Sequence, residues 1–544
     1  MLGLMMDYPL TVNKMLDHGR RAYPNKEIIS ILPNKTRHQY TYTNLYQRSK
    51  KLSYALQHML HVKKGENIGT FAWNHYQHLE LYFGIPGAGA VCHTINIRLS
   101  SSQTEFIINN AEDRYIFIDA SLITALEPIR ALLPTVEKFI ILKAPKGFKT
   151  SITDYIDYED LIRDAPDQGE WVEVTENEAC AMCYTSGTTG LPKGVLYSHR
   201  SCCIHSIMVS LPNYAGLCST DRMLAIVPQF HVLAWGLPYA GIMAGLVLVL
   251  PSSNLQPESL VKILMEENIN KAGGVPTIAQ GIYQVLKALK PNLFPLKEFL
   301  IGGAAAPPSL IENFDKDFNI TLIHAWGMTE TSPVGTLSKL QPEHETLSEE
   351  EKIKIRAMQG QELPFTELRI VTENGSVSPG NSAVVGEIEI RGAWVINAYF
   401  KSTSRENFSE DGWFKTGDVG FINEEGYLQI TDRAKDLIKS GGEWISSVAL
   451  EVSIMAHPLV KEAAVIAIPD EIWTERPLAV IVLKDKSQLL VPEELTHLLI
   501  GSFAKYQIPD QFVFTDEIPK TSVGKFDKKE MRRQYAEGLL KNNE

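Results

Sequence analysis

Residues 184–194 read YTSGTTGLPKG, with three glycines, four aliphatic hydroxyls and a lysine in one short run. Gly187, Gly190 and Gly194 permit positive φ and close backbone approach, so successive N–H groups can form an anion nest. Thr185, Ser186, Thr188 and Thr189 add donors, and Lys193 adds charge. The set suits a polyphosphate. It is not the P-loop of nucleoside triphosphatases, which runs Gly, four residues, Gly, Lys, then Ser or Thr. Counted from Gly187 the second glycine falls on Pro192, and after Gly190 the next glycine, Gly194, comes too early. The run before the loop, ACAMCY, reads as a buried strand. Its Cys180 and Cys183 then read as plain buried thiols, since no second CxxC accompanies them and Cys202–Cys203 lacks ligand spacing.

Other residues have chemical potential only in company. Gly302 to Ala306 end an apolar run, and small side chains there let a flat ring lie against the backbone. Glu330 offers a hard carboxylate, the donor type a divalent cation prefers. Lys525 taken alone is one lysine of a basic terminus, and His231 alone is a core histidine.

The elements that must position these residues alternate between strand-like and helix-like. In SKKLSYALQHMLHVKKG, Leu52, Ala55, Leu56, Met59 and Leu60 make a helical stripe closed by Gly65. NIGTFAWN, AEDRYIFID, KFIILK and GLVLVL are short apolar runs of the parallel-strand type. This is the rhythm of α/β layers. After about residue 360 the texture changes. TELRIVTENGSVSP turns at Asn374–Gly375, a hairpin signal, and GEIEIRG and GFINEEGYLQITD are strand-like. A small β-rich subdomain is expected over 360–431, a boundary at 432–437, and a self-contained α+β unit over 438–544.

Bulk composition sets outer bounds. The chain has 544 residues, 44% hydrophobic and 21% charged, with net charge −12 and six cysteines. The length implies several domains. The acidic balance disfavours nucleic acid or an anionic membrane as the main partner. No signal peptide is read at the N-terminus. Residues 223–250 are apolar enough to cross a bilayer, but Pro228, Pro238, Gln229 and His231 argue for a buried region lining a cavity.

Taken together, YTSGTTGLPKGV, GGAAAPPSL (302–310), AWGMTETSP (325–333), FKTGDVG (414–420), DRAKDLIKSGGEWIS (432–446) and PKTSVGK (519–525) resemble, in order, the motifs of adenylate-forming enzymes. FHVLAWGLP and KDLIKSGGEWISS look most like bacterial medium- and long-chain fatty-acyl-CoA synthetases. The resemblance implies a large N-terminal α/β domain (1–431), a hinge linker (432–437) with Lys435 as pivot, and a mobile C-terminal domain (438–544). It implies a two-step reaction using ATP, Mg²⁺ and coenzyme A, with acyl-AMP between the steps. By that resemblance Thr185, Ser186, Gly187, Thr188, Thr189, Gly190 and Lys193 hold the phosphates. Gly303, Ala304, Ala305, Trp326, Gly327, Met328 and Thr329 enclose the nucleotide, while Asp418 and Arg433 take the ribose. Lys435, Trp444 and Lys525 also contact ATP. Thr185 and Glu330 are the Mg²⁺ ligands. Lys525, Glu330, Thr185 and Lys193 are the catalytic set. His231, Trp235, Gly302, Gly441 and Gly442 line the acyl and coenzyme A tunnel.

The acid is read as fatty. Phe230 is followed by His231, Val232 and Leu233, with no carboxylate to pair with a substrate amine. Aryl- or short-chain acids, transfer to a carrier protein, and a non-catalytic AMP-binding role remain open. A homodimer and a cytoplasmic, reducing location are expected.

Overall fold

The computed structural model describes residues 1, 3–167, 169–185, 191–291, 293–378, 382–440, 443–521 and 525–540. Among them four sheets form. The first has the strand order Gln361–Glu362, Val334–Ser338, Thr321–Gly327, Glu298–Ile301, Lys271–Gly274, Arg222–Ala225, Val247–Leu250, Glu27–Ile31, Arg37–Thr41. Its middle is parallel and its ends are antiparallel. The second runs Tyr155–Asp157, Lys138–Leu142, Tyr115–Asp119, Asn67–Phe71, Val91–Thr94, Ala179–Tyr184, Gly194–Ser198. Every residue of Tyr115–Asp119 is buried, as a near-continuous apolar run demands of a strand covered on both faces.

Parallel strands deliver their C-terminal ends to one edge, where ligands of open α/β sheets bind. Glu298–Ile301 and Thr321–Gly327 are parallel neighbours, so the two segments Gly302 to Ala306 and Met328 to Glu330 emerge side by side. That adjacency is what brings two motifs distant in sequence to one place.

The apolar region 223–250 resolves into two strands of this sheet around the helix Leu237–Ala244. No helix of the described residues is long and apolar enough to cross a membrane. The helical stripe begins earlier than its apolar residues indicate, as Tyr42–Tyr54, and passes into a wider π-type turn at Ala55–Met59. Gly65 follows in a turn at φ 83°.

A third sheet is antiparallel, ordered Val377–Ser378, Thr366–Val371, Ser382–Gly392, Phe414–Ile422, Leu428–Arg433. Its first hairpin turns at Asn374–Gly375 with Gly375 at φ 78°, as the sequence predicts. The fourth joins Glu443–Ile445, Ile438–Ser440, Thr474–Leu483, Val460–Asp470 and Gln511–Phe514, with Ser447–Met455 packed on it. The helix Pro492–Leu499 stops there because Ile500 is extended and Gly501 takes φ 96°.

Candidate active site

The phosphate-type loop is pinned at both arms. Strand Ala179–Tyr184 pairs antiparallel with Gly194–Ser198. At the mouth the Thr185 N–H donates to the Lys193 carbonyl at 2.9 Å, and the Lys193 N–H donates to Thr185 Oγ1 at 3.2 Å. Gly194 has no room for a side chain that would not press Phe400 and Tyr184, each 3.1 Å from a built Cβ. Ser186, Gly187, Thr188, Thr189 and Gly190 lie outside the described residues. The Lys193 amine donates to Asn407 Oδ1 at 3.1 Å, lies 3.4 Å from Glu406 and sits 4.9 Å from the Tyr399 ring centre.

The segment after Thr321–Gly327 is held as firmly. A Cβ on Gly327 would stand 1.8 Å from the Pro333 carbonyl oxygen, so only glycine fits. The Thr329 carbonyl accepts from Tyr197 OH at 2.8 Å, and the Glu330 carbonyl accepts from the Ile396 N–H at 3.0 Å. These bonds aim the Glu330 carboxylate, which is buried and accepts from Tyr399 OH at 2.7 Å. Burial pushes its pKa up, against the pull of Tyr399, Arg433 and Lys525. A buried carboxylate with this little neutralisation is a fitting seat for a hard cation.

Asp418 is buried between two partners. Trp326 Nε1 donates to its Oδ2 at 2.8 Å, and the Arg433 guanidinium pairs with Oδ1 at 3.0 Å. Asp418 and Arg433 are opposed across the strands Phe414–Ile422 and Leu428–Arg433, which fixes the pair. Asp418 raises the Arg433 pKa.

Lys525 comes from the far end of the chain into this group. Its Cε lies 3.7 Å from where a Cβ on Gly303 would be, and Gly303 itself is at φ 82°. Burial lowers its pKa to about 8; Arg433 adds to this, while Asp418 and Glu330 oppose it. The sign of the consequence follows. The ammonium is the major form below pH 8 and is lost above it. If the charged form acts, kcat/KM for the first step falls on the alkaline side with a midpoint near pH 8, since that ratio reports the free protein's groups. A pH–rate profile of ATP–pyrophosphate exchange checks this; a flat profile to pH 9.5 would contradict it.

The apolar wall has an unusual backbone. Val232, Leu233, Ala234 and Trp235 have φ of 45°, 53°, 50° and 59°, and Gly236 has 71°. Four successive side-chain-bearing residues thus make a left-handed turn, at a cost of roughly 1–2 kcal/mol each. The turn swings the Trp235 indole onto the strand ends, 3.4 Å from a built Cβ on Gly302 and 3.9 Å from one on Gly273. His205 backs it, its Nδ1 only 2.8 Å from a built Cβ on Gly236. His231 precedes the turn. Burial, then Lys525 and Arg98, lower its pKa to about 3, so it is neutral at physiological pH. Gly236→Ala is therefore expected to cost about 2–3 kcal/mol of stability from φ and overlap. We expect it to raise KM for the carboxylic acid while leaving KM for ATP near wild type. Equal effects on both constants would contradict a role confined to the acyl end.

Of the remaining candidates, Ala304 is exposed, while Ala305 and Met328 are partly exposed. Gly441 and Gly442 lie outside the described residues. Lys435 is exposed beside Asp436, which pairs with Arg532 at 2.8 Å. Trp444 is engaged elsewhere, its indole N–H donating to Glu373 Oε1 at 3.0 Å. Tyr399, Asn407 and Arg98 are additions to the sequence reading. Tyr399 lies 69 residues from the carboxylate it bonds, in a loop without a motif of its own.

The profile described as AMP-binding enzyme matches residues 16–400, and that of the AMP-binding enzyme C-terminal domain matches residues 449–525. The chain belongs to the AMP-binding enzyme family. It is 43% identical to a long-chain-fatty-acid–CoA ligase of Thermus thermophilus, over 98% of this chain and 96% of the relative. It is 40% identical to a medium-chain-fatty-acid–CoA ligase of Ectopseudomonas oleovorans, over 100% and 99%. It is also 40% identical to a 3-methylmercaptopropionyl-CoA ligase of Ruegeria lacuscaerulensis, over 99% and 100%. Among solved structures, the anthranilate CoA ligase AuaEII in complex with anthranoyl-AMP superposes with TM-score 0.86 at 23% identity, covering 98% of this chain and 99% of that one. This AMP-binding enzyme is an adenylate-forming CoA ligase that uses ATP and coenzyme A.

Proposed function

We propose that the chain activates a medium- to long-chain fatty acid with ATP and passes the acyl group to coenzyme A. The carboxylate attacks the α-phosphate, giving acyl-AMP and pyrophosphate. The thiol then attacks the acyl carbon and AMP leaves. The observation that carries the substrate class is the left-handed turn: it lays Trp235 over Gly273 and Gly302, an apolar floor with no acidic side chain beside His231. An aliphatic tail suits such a floor, at about 0.8 kcal/mol per buried CH₂.

The first step brings an anion to a polyanion, so positive charge and fixed donors must be in place beforehand. Lys525 serves the carboxylate and α-phosphate oxygens. Lys193 and the loop 185–190 serve the leaving pyrophosphate, and Asp418 with Arg433 anchors the ribose. Glu330, with Thr185, would hold Mg²⁺, which neutralises phosphate charge when bound. Lys525 lies on the unit 438–544, joined by the hinge 432–437 to the unit 1–431. Rotation at Lys435 would withdraw it and admit the loop containing Gly441 and Gly442 for the second step. A homodimer in the cytoplasm is part of this reading.

A panel of carboxylic acids in the ATP–pyrophosphate exchange assay tests it. Exchange rising from C6 towards longer acids is the expected result; no exchange with any fatty acid overturns it. The Ruegeria relative favours one alternative, a short thioether acid, and 3-methylmercaptopropionate belongs on the panel.

A further inference from the structure

Lys525 acts only while its unit is docked against the rest of the chain, so something must hold it there. The side-chain bonds nearest the boundary grip the hinge segment itself. Asp432 Oδ2 accepts from the Ser447 N–H and hydroxyl, both at 2.6 Å, and Arg532 pairs with Asp436 at 2.8 Å. Atoms beside a pivot move least when it turns. The bond from Trp444 to Glu373 is different, since its partners are 71 residues apart and stand on opposite sides of the hinge.

Both ends of that bond are built rigidly. Glu373 sits in the tight turn of the hairpin between Thr366–Val371 and Val377–Ser378. Asn374 Oδ1 braces the turn by accepting from the Ser376 N–H at 3.0 Å, while the Thr372 N–H donates to the Ser376 carbonyl at 3.0 Å. Trp444 lies opposite Lys439 in the hairpin of Ile438–Ser440 and Glu443–Ile445. The Lys439 ammonium is 4.9 Å from the indole centre, and the Lys439 N–H is tied to Glu475 Oε2 at 2.8 Å. An anion on the indole N–H and a cation on the ring polarise the indole in the same sense.

We propose that Glu373 is a positioning residue: by holding Trp444 it keeps the C-terminal unit in the orientation that seats Lys525. Its catalytic consequence rests on the function proposed above, but the seating does not. The bond is exposed, so its effect is modest, about threefold in the balance between docked and undocked forms.

The test reads the seat directly. Full-length protein without substrates is exposed briefly to hydroxyl radicals, whose attack does not depend on the protonation of an amine, and oxidative labelling of Lys525 is followed by peptide mass spectrometry. In Glu373→Ala, Lys525 labelling should run about threefold faster than in wild type, with Lys262, exposed on the surface, unchanged. Trp444→Phe, which keeps the ring but loses the donor, should match it. Glu373→Gln keeps an acceptor oxygen and should lie near wild type. Unchanged Lys525 labelling in Glu373→Ala, or an equal rise at Lys262, overturns the proposal. These outcomes need no activity, so they are separable from the exchange panel. Where exchange is measurable, Glu373→Ala should slow it by much less than threefold, because the docked form stays the major one, and should not slow thioester formation from supplied acyl-AMP; equal slowing of both would also overturn the proposal.

Discussion

Lys525→Ala should slow ATP–pyrophosphate exchange by about 10²–10³, the loss expected when one preorganised charge is removed from where negative charge gathers. The amine has been drawn out of bulk water and set beside Arg433, at the expense of its own affinity for a proton. Such a group is worth more to an incoming anion than a solvated lysine, because little water remains to screen it. Thioester formation from supplied acyl-AMP should persist, since the proposed hinge rotation withdraws the lysine for that step. A comparable loss in both half-reactions would show that Lys525 supports the fold rather than the first step. Lys525→Arg should recover little, because a guanidinium spreads its charge over a planar fork where the lysine offers a compact point charge.

Glu330→Gln should lower the same exchange by about two to three orders of magnitude, an effect of the size seen when a central electrostatic group is lost. The amide still accepts from Tyr399 OH, so the local bonding survives while the charge does not. An activity-independent readout is available in Mg²⁺ titration of the nucleotide complex, which should need a higher concentration in the variant. The stability sign runs the other way. Burial raises the carboxyl pKa above its ordinary 4.5, so the folded chain binds this proton more tightly than the unfolded one. The carboxyl's contribution is thus most favourable below pH 4.5 and is lost as pH rises through the raised value. At pH 7 without nucleotide, Glu330→Gln should melt no lower than wild type. A marked drop would mean that the carboxylate is structural.

Much of the architecture can be read in the chain. Runs such as YIFID and VLVL are buried parallel strands because no face of them tolerates water, and Asn374–Gly375 turns a hairpin because Gly375 supplies the positive φ. The motif residues Asp418, Arg433, Glu330 and Lys525 are legible as well, though only as types in order. What brings them together is long-range pairing, and a local pattern carries none of it. Tyr399 and Asn407 escaped because a single tyrosine or asparagine in a loop has no periodicity. The left-handed turn escaped for a better reason. Val232, Leu233 and Ala234 each favour other conformations, so local propensity points away from the backbone they adopt. Only tertiary packing, with His205 behind Gly236, imposes it. Trp444 shows the reverse limit, since its motif is plain and the turn that holds Glu373 is legible at Asn374–Gly375, while nothing in the sequence pairs the two.

The order of the site along the chain also sets a schedule for its birth. A ribosome delivers the loop at Lys193 first, then Glu330, then Asp418, and Lys525 almost at the end. Roughly two hundred residues separate Glu330 from Lys525, on the order of 10–40 s of synthesis at 5–20 residues per second. On the roles proposed, a chain grown past Arg433 has the residues that would cradle a nucleotide but not the lysine assigned to its first step. On that reading full activation chemistry awaits the last segment, and a prematurely terminated product would bind ATP yet react with it far more slowly.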